Sequence, residues 1–160
     1  MATSGDLNMA IDSPTWQSAR VPDVGWFPSD QELSATAEDI GRELHDAWLD
    51  LSTVTHAGDS VTIEGYRERP APGGWFRVGR YPVVLTVTGA ARIDSHDPDG
   101  LGGIAVCDVT TESGSMTLTS GFVGHLAVIG EHLAAAITLS GTPSAERRRF
   151  SRRWVPRVAE

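Results

Sequence analysis

The chain has 160 residues, 40% of them apolar and 21% charged, a formal charge of −8 and one cysteine. One domain is the expected size class, long enough to bury about two-thirds of the surface its unfolded chain would expose. The lone Cys107 excludes an internal disulfide, the first residues lack the basic and apolar regions of a secretory leader, and no apolar run is long enough to cross a bilayer. A cytoplasmic protein without membrane contact is therefore expected.

All 13 basic residues are arginine. Residues 147–160 hold six arginines and one glutamate, whereas residues 1–146 hold seven arginines and twenty acids. The body is acidic and the C-terminal end basic. Such a field draws basic partners to the one and anionic partners to the other.

Residues 1–28 show no periodicity and contain Pro14, Pro22 and Pro28. They also carry Trp16, Trp26 and Phe27, large rings that disordered segments rarely hold. We read an irregular arm whose rings pack on its own domain or in a partner's groove.

Ser29 with Glu32 has the spacing of a capping box. Leu33, Ala37, Ile40 and Leu44 follow as one apolar stripe. The spacing predicts a helix over about 30–44, opening a single domain at 29–143.

Strands are then expected at short intervals. Leu49, Leu51 and Thr53 alternate with polar neighbours, as do Val61 and Ile63 around a turn at 57–59. Residues 67–74, RERPAPGG, read as a projecting loop. Val83, Leu85 and Val87 define one buried face, with Ala91 and Ile93 continuing it. Ile104 and Val106 oppose Ala105, Cys107 and Val109, the pattern of a central strand covered on both sides. A turn at 112–114 precedes a short strand at Met116 and Leu118. Gly130-Glu131 reads as a two-residue hairpin loop joining 122–129 to 132–139. The sum is an α+β, mainly β fold. It is an antiparallel sandwich or partly closed barrel of seven or eight strands with one N-terminal amphipathic helix.

Asp94, His96, Asp97 and Asp99 are the densest group of metal-ligand types. A calcium loop started at Ser95 reaches Val106 where a closing glutamate belongs, so a Pro98-Asp99-Gly100 turn is preferred. His45, His56, His96, His125 and His132 lack zinc spacing. Cys107, mid-strand among apolar neighbours, reads as a small buried hydrophobe. His45-Asp46 could serve acid–base work, but a histidine at a helix C-terminus is favoured by the dipole alone. No nucleophile elbow, P-loop or dinucleotide fingerprint stands in context. No catalytic residue, metal or cofactor is expected, and the protein reads as a non-enzyme.

Residues 144–160 form an arginine-rich tail. Arg147, Arg148, Arg149, Arg152 and Arg153 interleave with Phe150 and Trp154, a set able to pair with phosphates and stack on bases. The same set suits an acidic protein surface, the acidic body of its own chain, or a second copy. With Trp16, Trp26 and Phe27 it makes up the candidate partner-binding residues.

Leu44-His45-Asp46-Ala47 and the strand element Val83-Val84-Leu85-Thr86-Val87-Thr88-Gly89-Ala90 resemble the YxiG-like, immunity protein 50 family of small bacterial domains, over about 44–140. Residues 1–43, the acidic loop 94–103 and the arginine tail depart from it. The resemblance implies a bacterial, non-enzymatic immunity protein that neutralises a toxin, for which an acidic body would speed capture of a basic partner. Another protein is the expected partner. An RNA or ribosome held by the tail, or a structural adaptor role in a larger assembly, is the alternative. A small-ligand or enzymatic barrel using Asp94, His96 or Cys107 ranks third.

Overall fold

The computed structural model describes residues 31–34, 37–72, 76–121 and 123–158, with side chains from 38 onward. Trp16, Trp26 and Phe27, and the reading of residues 1–28 as a packed arm, lie outside the described residues.

The chain is mainly β, a curled antiparallel half-barrel with one helix. In order it forms β1 (Gln31–Ser34), α1 (Ala37–Leu44), β2 (Trp48–Asp50), β3 (Thr55–Ala57), β4 (Ser60–Pro70), β5 (Arg77–Thr88) and β6 (Arg92–His96). There follow β7 (Gly103–Glu112), β8 (Ser115–Ser120), β9 (His125–Ile129), β10 (Ala134–Leu139), β11 (Ala145–Arg148) and β12 (Val155–Pro156). The main path across the sheet is β1-β10-β5-β4-β2-β7-β8-β9-β6, with β3 added to β4, and β11 and β12 added to β5. The described residues thus hold 12 strands rather than seven or eight.

The axis of the fold is β5. Val83, Leu85 and Val87 are each 1% exposed, as their alternation requires. They pack with Val61 and Ile63 of β4, Ile137 and Leu139 of β10, and the inward residues of β7, β8 and β9. α1 lies over this face, with Ile40 and Leu44 fully buried and Gly41 against Val109 of β7. Each such aliphatic side chain contributes about 2 kcal/mol by leaving water.

Four expectations change. The helix starts at Ala37, not near residue 30, and residues 31–34 pair with β10. β10 needed a partner on its open edge, and that demand outweighed the helical stripe at Leu33. Second, β4 runs to Pro70, so much of the predicted 67–74 loop is strand, and Arg67 is 5% exposed. Third, Ala90 rather than Ala91 continues the buried face, because Gly89 adopts φ 81° and shifts the parity. Fourth, Cys107 is exposed. The register of β7 on β8 jumps between Val106 and Asp108, so Cys107 is the extra residue of a bulge and turns outward with Asp108. β7 is therefore buried on one face only.

The predicted hairpin at Gly130-Glu131 is also absent. β9 pairs with β6 and β8, whereas β10 pairs with β1 and β5. The segment between them is a crossover from one half of the curl to the other.

Candidate functional site

The segment read as a tail enters the sheet. β10 covers β5 only from Val83 to Thr88, which leaves the N-terminal half of that edge open. β11 takes it, with Ala145 opposite Arg80 and Arg148 opposite Arg77. β12 then adds outside β11, with Pro156 opposite Ala145. Backbone N–H groups of Ser144 and Arg157 donate to the carbonyls of Arg80 and Ser144 and close the fork.

Two side chains of the candidate set are engaged in holding this fork. The Arg80 guanidinium lies between the rings of Tyr66 and Trp154, 4.3 and 4.0 Å from their centroids. Arg147 lies over Trp154 from its side, at 5.0 Å. Arg147 also donates from Nη1 to the carbonyls of Arg149 and Ser151, at 2.8 and 3.2 Å, and so fixes the turn after β11. Glu68 sits between the two guanidiniums, 3.7 Å from Arg80 Nε and 3.5 Å from Arg147 Nη2. The Arg80 contact is an ion pair beyond hydrogen-bond length. Replacing Trp154 with alanine is expected to cost about 2 kcal/mol, the cation–π terms plus lost burial. Urea denaturation checks this. In a cycle with Arg80→Ala the coupling should be about 1 kcal/mol, and an additive pair would show that Trp154 acts only through its area.

The other arginines point elsewhere. A cleft of about 860 Å³ opens at this end of the half-barrel. By strand parity its Arg77, Glu146 and Arg148 lie on the face of β5 and β11 that carries Tyr81 and Val83, so it continues the core face beyond where the apolar packing ends. Its basic lining is Arg77, Arg147, Arg148, Arg153 and Arg157, with Glu146 as the one carboxylate among the described lining residues. Glu146 forms ion pairs with Arg77, at 2.6 Å, and more loosely with Arg157, at 3.8 Å. Arg148, Arg152 and Arg153 have no carboxylate partner among the described residues. Apolar surface is exposed along the same cleft: Phe76 at 46%, Val155 at 57% and Val158 at 85%. Phe150 stands out at 87% exposed in the turn beside it.

Tyr81 lies on the same face of β5 as Arg77. It is fully buried, donates to the Pro70 carbonyl at 3.0 Å, and has its pKa raised, first by burial and then by Glu146. Nearby, the buried Arg67 pairs with Glu43 of α1 at 2.8 Å. Burial, and then the charge of Arg67, lower the pKa of Arg69. The strand pattern that would have revealed Arg67 as an inward residue was hidden by the prolines that follow it.

The acidic loop is a turn built on Asp97. Its carboxylate accepts the N–H groups of Leu101 and Gly102, at 3.0 and 2.7 Å. His96 and His125 are cross-strand neighbours on β6 and β9 with ring centroids 5.4 Å apart. No group of three or more His, Cys, Asp or Glu able to hold a metal occurs among the described residues. His45 Nδ1 lies 2.9 Å from the Asp46 carboxylate, both exposed, and Asp46 takes φ 65° as the residue that ends α1.

Fold and site together define a half-barrel β domain whose C-terminal segment builds an arginine-lined cleft at one end. No family model matches the chain, and no curated protein or solved structure is significantly similar to it. Among the described residues, no helix is long and apolar enough to cross a membrane.

Proposed function

We propose that the chain is a non-enzymatic binding module that recognises another protein, with the C-terminal cleft holding an acidic segment of that partner. The observation that carries this reading is the chemistry of the wall. Among the described residues Arg148 and Arg153 have no carboxylate partner, and they stand beside the exposed Phe76, Val155 and Val158. Guanidinium forks pair with carboxylates in two-pronged geometry, and apolar side chains next to them supply the desolvated contact area on which affinity depends. Arg147 and Trp154 serve the fold, so partner contact falls to Arg148, Phe150, Arg152 and Arg153.

The immunity-type inhibitor is a more specific reading that uses the acidic body instead of the cleft. It rests on the resemblance at Leu44–Ala47 and Val83–Ala90 and on the acidic body, which would take a basic toxin. A separate observation favours RNA as an alternative. Phe150 is exposed between arginines and can stack on a base, whereas both guanidiniums beside Trp154 lie over its ring.

One experiment separates these. Full-length protein and Arg148→Glu/Arg153→Glu are compared for capture of a native partner, with and without nuclease. For the cleft reading, affinity falls roughly a hundredfold in the variant and nuclease has no effect. A partner bound equally by both proteins places recognition on the acidic body and overturns the cleft. Loss with nuclease, and with Phe150→Ala, turns the reading to RNA.

A further inference from the structure

His96 and His125 face each other across β6 and β9, the last strand pair of the sheet path. Leu126 and Val128 of β9 are buried, so by parity His125 stands on the outer face, and the register sets His96 directly opposite it. The same row continues through Thr119 of β8 to Asp108 of β7. One row along, Asp94 of β6 shares the face. Arg92 is the basic residue of β6 on this face and lies two rows from His96. Two imidazoles thus stand within about 10 Å of two carboxylates, a setting that favours a cation.

We propose that His96 and His125 form a two-histidine chelate for a zinc ion, with water filling the remaining positions. The ring separation carries this. Zinc holds an imidazole nitrogen at about 2.1 Å, which sets the ring centroid about 3.2 Å from the metal. Two such rings at the tetrahedral angle have centroids about 5.2 Å apart, and at a square-planar corner about 4.5 Å. Those of His96 and His125 are 5.4 Å apart. The pair is already at tetrahedral span, and rotation of each ring about its broad terminal torsion is enough to turn a nitrogen inward. Solvent reaches both rings, since His96 is exposed and His125 half-buried. The two are distant in the chain and meet only through the register of β6 on β9, so no ligand-spacing motif announces them. An ion here also fastens β6, which β9 alone joins to the sheet among the described strands. Neither histidine lines the arginine cleft, so the inference stands apart from the binding role proposed there.

The test titrates zinc chloride calorimetrically into the full chain. A Cys107→Ser background removes the exposed thiol as a competing ligand. The expected result is one ion per chain. His96→Gln and His125→Gln should each weaken binding about a hundredfold, because loss of either ring leaves a single anchor. His45→Gln/His132→Gln should bind as the parent does. Thermal melting without zinc checks that every variant folds, and His96→Asn or His125→Asn replaces one that does not. Zinc should also slow amide exchange within β6 in the parent and leave it unchanged in His125→Gln. Absence of binding at millimolar zinc overturns the proposal. A loss confined to one of the two histidine variants, or seen in neither, overturns it as well. So does one ion per two chains, because two copies then share a four-histidine site.

Discussion

Replacing Gly130 with alanine is expected to destabilise the fold by about 3 kcal/mol, the upper part of the usual overpacking range. For a domain of this size the thermal midpoint should fall by about 10 °C. The reason lies at the crossover between β9 and β10. A Cβ on Gly130 would sit 2.0 Å from the Gly89 carbonyl oxygen, and one on Gly89 would sit 2.1 Å from that of His132. Two backbones pass here in direct contact, one leaving β5 and the other entering β10. The obstacle is main chain, not the end of a flexible side chain, so no rotamer change relieves it. The Gly130 N–H also donates to the Gly114 carbonyl at 2.9 Å, which ties the crossing to the β7–β8 turn. Gly121→Ala is the control, since a Cβ there meets nothing within 4 Å and it should unfold with the parent. If Gly130→Ala melts within a degree or two of the parent, the crossing is looser than the geometry states.

The second large effect is expected at Glu43. Arg67 is 5% exposed, its Nε has no hydrogen-bond partner among the described residues, and its Nη1 pairs with Glu43 at 2.8 Å. Removing Glu43 leaves a buried guanidinium beside Arg69 without its ion-pair partner. Glu43→Ala should cost about 3 kcal/mol, as broken buried pairs do. Alanine is the better helix former, so propensity in α1 cannot account for a loss. Arg67→Met/Glu43→Leu should recover most of the stability, because the pair's own attraction is largely offset by the cost of dehydrating both charges. Urea titration of the three proteins decides it. A double variant as unstable as Glu43→Ala would mean that the ion pair itself, and not the avoidance of an unpaired charge, holds α1 on the sheet.

Much of the local structure was legible. The alternation at Val83, Leu85 and Val87, and at Val61 and Ile63, names inward residues that are buried in the fold. The turn chemistry at 97–102 is likewise local, a carboxylate capping two following N–H groups. Misreadings arose where a local pattern had a distant competitor. Residues 31–34 carry part of a helical stripe but meet the open edge of β10. Gly130-Glu131 has hairpin composition, yet its glycine serves a backbone crossing with a residue far away in the chain. Cys107 sits in an apolar run, and a one-residue bulge turns it outward.

The candidate site shows the same division. Its arginines and aromatics are plain in the sequence. Which of them hold the fold together is not, because Arg147 and Trp154 resemble their neighbours in composition. The sequence by itself determined the mainly β character, the inward parity of the long strands and the opposition of an acidic body to a basic end, since each depends on spacing of a few residues or on simple charge. Only the tertiary structure decided that the basic end is a strand of the sheet and the wall of a cleft. That outcome depends on β10 covering just half of one edge of β5. The unpaired N–H and C=O groups left there require a partner, and their number follows from pairing between distant segments rather than from any local pattern.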